Sequence, residues 1–469
     1  MNITDLQGKK IGILGFGIEG QAVAAFLTKY ALSFEVYDQN PEVRLKTNAK
    51  DFSEIFDREI LFRSPGIKLS EPSLFQAQEK GIVLTSQLKF FLQNTKAKII
   101  GITGSKGKGT TAKLVYEILK NSGLKVFLGG NFGSEVLSLL SEDDAYIVLE
   151  LSSFQLADVD VSPHIAVVLM VVPEHLDYHK DISEYYDAKS PITKFQTKND
   201  FAIINSDYEQ SMIIGKLGSA KKYFVQTLQE ESVGKADPFK IYKAEEFLKI
   251  KDGIFAEELE KHVYLVNDSE TQFYADAKEF SLPGFHNLQN VCAAIMVSKI
   301  VSKEEPGITD QVILQTIREY KGLEHRLEEV GTFNGVQFFD DSFGTTPESA
   351  LAAIKAFSKP EIVIMGGVNK GADYESFAYE VTKLKQIKGV VLIGQISGIL
   401  EQALLKNTFI GKIYTGAKNM PEVFEQVKEI ALEGDIVLLA PATSSFGMFK
   451  DYKDRGNQFK EAARKYGNS

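Results

Sequence analysis

Short apolar runs alternating with helical stretches along the whole chain predict an α/β protein of three domains in series, at residues 1–95, 96–302 and 303–469. Two glycine-rich turns carry much of that expectation. Gly15-Phe16-Gly17-Ile18-Glu19-Gly20 lies between an apolar strand and a helix, and Gly104-Ser105-Lys106-Gly107-Lys108 lies in the same setting farther along. The third observation is a fresh series of strands and helices after residue 303. At about 100 to 200 residues per domain, 469 residues allow each unit its own core. The expected architecture is a Rossmann-like N-terminal domain, a central P-loop ATPase-like parallel sheet and a C-terminal Rossmann-like α/β domain.

In the first segment, Lys9 to Gly15 reads as a strand, Gln21 to about Tyr30 as its helix and Phe34 to Tyr37 as the next strand. Asp38 follows roughly 20 residues after the turn, where a dinucleotide fold places its ribose-binding acid. Taken alone, this indicates nicotinamide binding, yet such turns also hold other nucleotides. Strands Ile60 to Phe62 and Ile82 to Thr85 complete a small sheet, which ends near Thr95.

The second segment opens with the strand Lys98 to Thr103, the loop Gly104 to Gly107 and a helix. Glycines turn backbone N–H groups toward an anion, the helix N-terminus adds positive potential, and Lys108 supplies a mobile ammonium. A nucleotide triphosphate is the natural guest. A hydroxyl residue that holds Mg²⁺ normally follows the Gly-Lys pair; Gly109 stands there, leaving Thr110 or Thr111 to supply it. Runs Ile99 to Thr103, Tyr146 to Leu151, Ile165 to Val172 and Phe201 to Asn205 read as buried parallel strands. Ligands bind beyond the carboxyl ends of such strands, so the loop, Glu150, Ser152, Glu174 and His175 are expected along one edge.

Glu150 is a candidate Mg²⁺ ligand and His175 a second, or a phosphate contact. Lys189, on the helical run Ile182 to Lys189, is a nucleophile, a carboxylated oxygen ligand or a plain solvated lysine. Asn287 and Asn290 suit an adenine edge or a helix cap. Residues 208–280 are expected to form small strands and loops with little catalytic content. His164, His179 and His262 read as structural.

The third segment has strands Val336 to Asp340, Glu361 to Met365, Gly389 to Ile393 and Asp435 to Ala440, with helices Pro347 to Phe357 and Glu422 to Leu432 between them. Arg326 and Lys370, at strand junctions, can neutralise a triphosphate, bind a substrate carboxylate or form surface ion pairs. The net charge of −10 argues against nonspecific nucleic-acid binding. The single cysteine, Cys292, excludes an intramolecular disulfide, and no apolar run reaches the 18 or so residues of a membrane span. A cytoplasmic monomer is the expectation.

The ordered motifs resemble the Mur ligase family over essentially the full chain. They are Ser64-Pro65-Gly66-Ile67, the loop ending Gly107-Lys108, Gly130-Asn131, the stretch Glu150-Leu151-Ser152-Ser153-Phe154-Gln155-Leu156, Glu174-His175-Leu176-Asp177, Ala188-Lys189, His286-Asn287 with Asn290, Glu324-His325-Arg326, Asp341-Ser342, Gly366-Gly367 with Lys370, and Ala440-Pro441-Ala442 through Arg455. The Ser-Pro-Gly-Ile and Glu-Leu-Ser-Ser-Phe-Gln-Leu stretches favour the D-glutamate-adding branch.

The resemblance implies an ATP-dependent ligase of peptidoglycan precursor synthesis that adds D-glutamate to UDP-N-acetylmuramoyl-L-alanine through an acyl phosphate. It implies UDP-substrate contacts at Gly17, Ile18, Glu19, Asp38, Ser64, Pro65, Gly66, Asn131 and Ser152. ATP would meet Gly104, Ser105, Lys106, Gly107, Lys108, Gly109, Thr110, Thr111, Asn287, Asn290, Arg326 and Asp341. Two Mg²⁺ ions would be held by Thr110, Glu150, His175 and a carboxylated Lys189, and D-glutamate by Thr345, Lys370, Ser445, Phe446 and Tyr452. Catalysis would rest on Lys108, Asn131, Glu150, His175 and Lys189, with hinges near Thr95 and Val301.

Gly109, Tyr178 and Phe343 depart from the family pattern, standing where hydroxyl, arginine and lysine residues are usual. A relative that adds another amino acid, the folylpolyglutamate type included, and a regulatory homologue that binds nucleotide without catalysis are the alternatives.

Overall fold

The computed structural model describes residues 1–131, 136–175, 178–228, 251–257, 261–282 and 284–467. The chain forms two units, Met1–Phe280 with His286–Glu319, and Ser281–Phe285 with Tyr320–Ser469.

The first unit begins with a parallel sheet of β1 (Ile11–Leu14), β2 (Phe34–Tyr37), β3 (Ile60–Arg63) and β4 (Val83–Ser86), ordered β2-β1-β3-β4. The first helix, Ile18–Lys29, starts earlier than expected because Gly17 caps it. It can close onto β1 because residue 20 is glycine: a Cβ there would meet the Gly15 carbonyl oxygen at 2.0 Å.

A nine-stranded sheet follows in the same unit. Its strands are β5 (Lys98–Thr103), β6 (Val126–Gly130), β7 (Tyr146–Glu150), β8 (Ile165–Val168), β9 (Phe201–Asn205), β10 (Lys221–Leu228), β11 (Gly253–Glu257), β12 (His262–Asn267) and β13 (Glu270–Asp276), in the order β13-β12-β11-β10-β9-β8-β5-β7-β6. Strands β6 to β11 are mutually parallel, and β12 and β13 add antiparallel pairs. From β5 the chain crosses to β6 and β7 on one side, then to β8 on the other. The carboxyl end of β5 is therefore a switch point of the sheet, where open α/β sheets bind ligands.

The two sheets share one apolar core running from Ile13, Phe62 and Phe90 to Ile99, Ile147 and Leu156. Buried Arg63 on β3 reinforces this union, bonding Asp158 in the connection between β7 and β8 through Nε at 3.2 Å. Three features differ from the sequence expectation. Strand β8 stops at Val168 because Leu169 to Val172 turn to hydrogen-bond the glycine loop. The region 208–280 adds whole strands to the sheet, with residues 229–250 outside the described residues. The first unit extends past residue 302, since helix Asp310–Glu319 packs on helix Lys108–Asn121 with Asn121 Nδ2 donating to Thr316 Oγ1 at 3.1 Å.

The second unit holds β14 (Glu328–Phe333), β15 (Val336–Asp340), β16 (Glu361–Gly366), β17 (Ile387–Ile393), β18 (Lys412–Tyr414) and β19 (Ile436–Leu439), ordered β14-β15-β19-β16-β17-β18 and parallel except for the β14–β15 hairpin. Alternation along β16 sends Val363 and Met365 into one core and Ile362 and Ile364 into another, so helices cover both faces. Among the described residues, no helix is long and apolar enough to cross a membrane.

Candidate functional site

The carboxyl ends of β5, β7 and β8 bring the central candidates to one edge. Beyond β5, Gly104 takes φ +156° and Gly107 takes φ +85°, both favouring glycine. A Cβ on Gly107 would also meet Asn290 Oδ1 at 2.2 Å, so the loop closes directly under Asn290. Lys108 opens the helix and lays its ammonium back over the loop, donating to the carbonyls of Gly104 at 3.0 Å and Ser105 at 2.9 Å.

Strand pairing fixes Glu150 beside this loop, opposite Ile102 on β5 and Gly130 on β6. Asn131 Nδ2 donates to Glu150 Oε1 at 3.4 Å, and its backbone N–H to the Glu150 carbonyl at 2.9 Å. Ser152 caps the short helix Ser153–Leu156 in a reciprocal box with Gln155.

Past β8, His175 takes φ +58°, a left-handed conformation that costs a non-glycine residue about 1–2 kcal/mol. Backbone N–H groups of Tyr178 and His179 hold it, donating to its carbonyl at 3.1 and 3.0 Å. Its Nε2 lies 3.7 Å from Glu174 Oε2, while Lys106 bonds Glu174 Oε1 at 2.6 Å. Burial works to raise the Glu174 carboxyl, but Lys106 and Lys108 outweigh it and hold the group below the usual range.

Lys189 is 2% exposed and donates to the Gly104 carbonyl at 3.0 Å and to Thr103 Oγ1 at 3.4 Å. Burial, with Lys108 adding and Glu174 opposing, drives its pKa well below that of an ordinary lysine. The shift favours the uncharged form of the amine beside the phosphate loop. Of the three readings open in the sequence, the solvated one is excluded.

Several candidates have other duties. Ser105 donates its N–H to the Met170 carbonyl at 2.6 Å and its hydroxyl proton to the Val172 carbonyl at 2.7 Å, so it braces the loop and leaves no donor for an anion. Because that proton is committed, Tyr185 must be the donor in its 2.7 Å bond to Ser105 Oγ. Thr110 is 5% exposed, whereas Thr111 Oγ1 is fully buried with no hydrogen-bond partner among the described residues. Of the two hydroxyls, Thr110 alone has access. Lys106 is engaged by Glu174.

Asn287 and Asn290 are both buried on helix Phe285–Val301, Asn290 Nδ2 donating to Asn287 Oδ1 at 3.3 Å. Between them Gln289 donates to Asp207 Oδ2 at 2.8 Å and to Thr227 Oγ1 at 3.1 Å, and Tyr208 donates to Gln289 Oε1. Burial raises Asp207 to about 6.

At the N-terminal turn, Asp38 accepts the N–H groups of Phe16 and Asn40, each at 2.8 Å, and Ser64 donates to the Gly15 carbonyl at 2.9 Å. Both side chains shape the turn, while Gly17, Ile18 and Gly66 are exposed and Pro65 is half-buried. Gln155 donates to Glu19 Oε1 at 2.7 Å, and burial raises the Glu19 carboxyl.

In the second unit, the candidates gather at the carboxyl ends of the neighbouring strands β15, β19 and β16. Asp341 follows β15 and accepts the Leu327 N–H at 3.0 Å; burial raises it to about 7 against the pull of that bond and of Arg326. The Arg326 guanidinium stacks on the Phe343 ring at 4.4 Å, and Tyr452 meets Phe343 edge-on at 5.1 Å. Phe343 thus seats the arginine. Ser445 is buried and Phe446 exposed after β19; Lys370 is exposed after β16, and Thr345 is half-buried. Fully buried Arg455 donates to Ser342 and to the Thr443 carbonyl, tying these loops together.

Sequence reasoning passed over Arg63, Tyr185 and Asp207. Tyr185 sits one helical turn before Lys189, a spacing that could have flagged it.

Residues 102–298 match the Mur ligase middle domain, and residues 325–443 match the Mur ligase, glutamate ligase domain. A UDP-N-acetylmuramoylalanine--D-glutamate ligase of Clostridium kluyveri is 34% identical over 97% of this chain and 96% of its own. One of the same name from Acetivibrio thermocellus is 32% identical, with 97% and 96% covered. The crystal structure of a MurF ligase from Thermotoga maritima in complex with ADP shares the fold, with a TM-score of 0.55 at 17% identity over 100% of this chain and 97% of that one.

Proposed function

The chain belongs to the Mur ligase family, and from that premise we propose that it joins D-glutamate to the L-alanyl carboxylate of UDP-N-acetylmuramoyl-L-alanine at the expense of ATP. The observation that carries this reading is the gathering of Lys108, Glu150, His175 and Lys189 around one glycine loop at the switch point of a parallel sheet. On this reading residues 1–95 recognise the UDP portion, 96–302 bind ATP, and 303–469 bind the amino acid.

A carboxylate is a poor acyl donor because its leaving group would be oxide. One of its oxygens attacks the γ-phosphorus of ATP, ADP departs, and an acyl phosphate forms. The amine of D-glutamate then attacks the acyl carbon, the C–O bond to phosphate breaks, the amine loses a proton, and inorganic phosphate leaves with the carboxylate oxygen. Lys108 neutralises charge on the transferred phosphoryl, and Asn131, held by Glu150, orients the muramoyl carboxylate.

In its uncharged form, which burial favours, the amine of Lys189 can attack CO₂, forming a carbamate and releasing one proton. Thr110, Glu150, His175 and that carbamate make an oxygen-rich set that fits Mg²⁺. The ions would supply neutralisation of phosphate charge. Asn287 and Asn290 bind the adenine, and Arg326 and Asp341 are the nucleotide contacts assigned to the second unit. Thr345, Lys370, Ser445, Phe446 and Tyr452 recognise D-glutamate. The protein works as a cytoplasmic monomer.

The test is phosphate release with ATP, Mg²⁺ and UDP-N-acetylmuramoyl-L-alanine across a panel of D- and L-amino acids. Release that requires D-glutamate is expected. Release with a different amino acid alone would make the chain a sister ligase, and none at all a nucleotide-binding regulator.

A further inference from the structure

Tyr178 occupies a position where the resemblance leads one to expect arginine, and its side chain has a defined task. Its hydroxyl donates to the carbonyls of Pro65 at 2.8 Å and Ile67 at 3.0 Å, one proton shared between two acceptors. Arg63 Nη1 donates to the same Ile67 oxygen at 2.8 Å and to that of Pro65 at 3.4 Å. The turn Ser64–Ile67 is therefore gripped from two sides, while Ser64 binds it to the Gly15 carbonyl. In a planar trans peptide the C=O and N–H point opposite ways. Drawing the Pro65 carbonyl toward Tyr178 and Arg63 consequently turns the N–H of exposed Gly66 away from the clamp.

The other end of Tyr178 reaches the chemistry. Its backbone N–H donates to the carbonyl of His175, whose left-handed backbone needs such support. Phe154 packs against both rings, 4.2 Å from Tyr178 and 4.9 Å from His175. One residue thus joins a turn of the small sheet to the segment after β8 that carries Glu174 and His175.

We infer that Tyr178 is a positioning residue that sets the Ser64–Ile67 turn in register with His175, so that a nucleoside-diphosphate sugar acid held on the first sheet presents its carboxylate to the phosphate loop. This rests on the proposed function. The Tyr178→Phe variant of the full chain keeps the ring contacts and loses only the hydroxyl. It is expected to raise KM for UDP-N-acetylmuramoyl-L-alanine about 3- to 10-fold, the weight of one net hydrogen bond, with KM for ATP unchanged and folding stability lowered by no more than that one bond. Tyr178→Arg, which restores donors to both carbonyls, should recover most of that loss. An unchanged KM in Tyr178→Phe, or an equal loss in ATP affinity, overturns the inference.

If the wild-type chain does not turn over this substrate, the functional reading fails, and the clamp is judged by amide exchange instead. The Ile67 N–H, which donates to the Ser64 carbonyl at 3.0 Å, reports the turn. Faster exchange at Ile67 in Tyr178→Phe upholds the clamp, and unchanged exchange rejects it.

Discussion

Replacing Arg63 with methionine is the most revealing perturbation of the first unit. The guanidinium is 1% exposed and donates to Asp158 Oδ2 at 3.2 Å, to the carbonyls of Pro65 and Ile67, and to that of Phe154 at 3.1 Å. Methionine fills much of the same volume but leaves Asp158 without its cation and the Phe154 carbonyl without the guanidinium, while the carbonyls of Pro65 and Ile67 keep the Tyr178 hydroxyl as donor. Ser86 would still donate to Asp158, at 3.1 Å. Breaking a buried pair from one side costs about 3–5 kcal/mol, because the remaining charge is stranded, whereas replacing both partners with apolar groups is often near neutral. Arg63→Met should therefore destabilise by about 3 kcal/mol or more, and adding Asp158→Leu should return about half of it. Urea unfolding gives the values, followed at a probe in the first unit because the two units need not unfold together. A loss below about 1 kcal/mol, or a double variant as weak as the sum of the singles, would refute the reasoning.

The helix after the phosphate loop provides a matched pair. Thr110→Val should raise the Mg²⁺ concentration needed for half-maximal activity several-fold. Thr111→Val removes a buried hydroxyl with no partner among the described residues, so it should leave the Mg²⁺ requirement alone and stabilise by about 1 kcal/mol, read by thermal unfolding. Lys189→Ala should abolish activity, and a short-chain carboxylate such as acetate should restore part of it; rescue by an alkylamine instead would show that the free amine is the working group. Burial raises Glu361 in the second unit to about 8, with Gln386 opposing. An acid whose folded pKa is raised contributes stability fully present below its unfolded pKa and lost as pH climbs through the folded one, so this unit should weaken by a few kcal/mol between about pH 4.5 and 8. Glu361→Gln should flatten that slope, and denaturant midpoints across this range measure it.

The parts legible in the sequence follow from rules that need only local pattern. A strand running into glycines and lysine, and carboxylates just past apolar strands, placed Lys108, Glu150 and His175 at one sheet edge, because parallel strands present their carboxyl ends together. What escaped depends on partners distant in sequence. Arg63 meets Asp158 across 95 residues and Gln289 meets Asp207 across 82, so neither pairing leaves a periodic trace. Asp38 and Ser64 have the residue types of ligand contacts, yet the turn's own backbone claims them, since buried N–H and C=O groups must be paired. Helix phase, which the sequence did not resolve at this turn, directs the Thr111 hydroxyl into the core. Small strands were legible in residues 208–280, but that β10 to β13 extend the central sheet depends on pairing between strands, and β13 leaves Glu270 to Phe273 exposed.

The central claim, that this sheet edge converts an inert carboxylate into an acyl phosphate, is open to one direct measurement. UDP-N-acetylmuramoyl-L-alanine labelled with oxygen-18 in its alanyl carboxylate is turned over with ATP, Mg²⁺ and D-glutamate, and the released phosphate is analysed by mass spectrometry. The account predicts that each inorganic phosphate carries one labelled oxygen. Phosphate free of label, released in step with product, would contradict it.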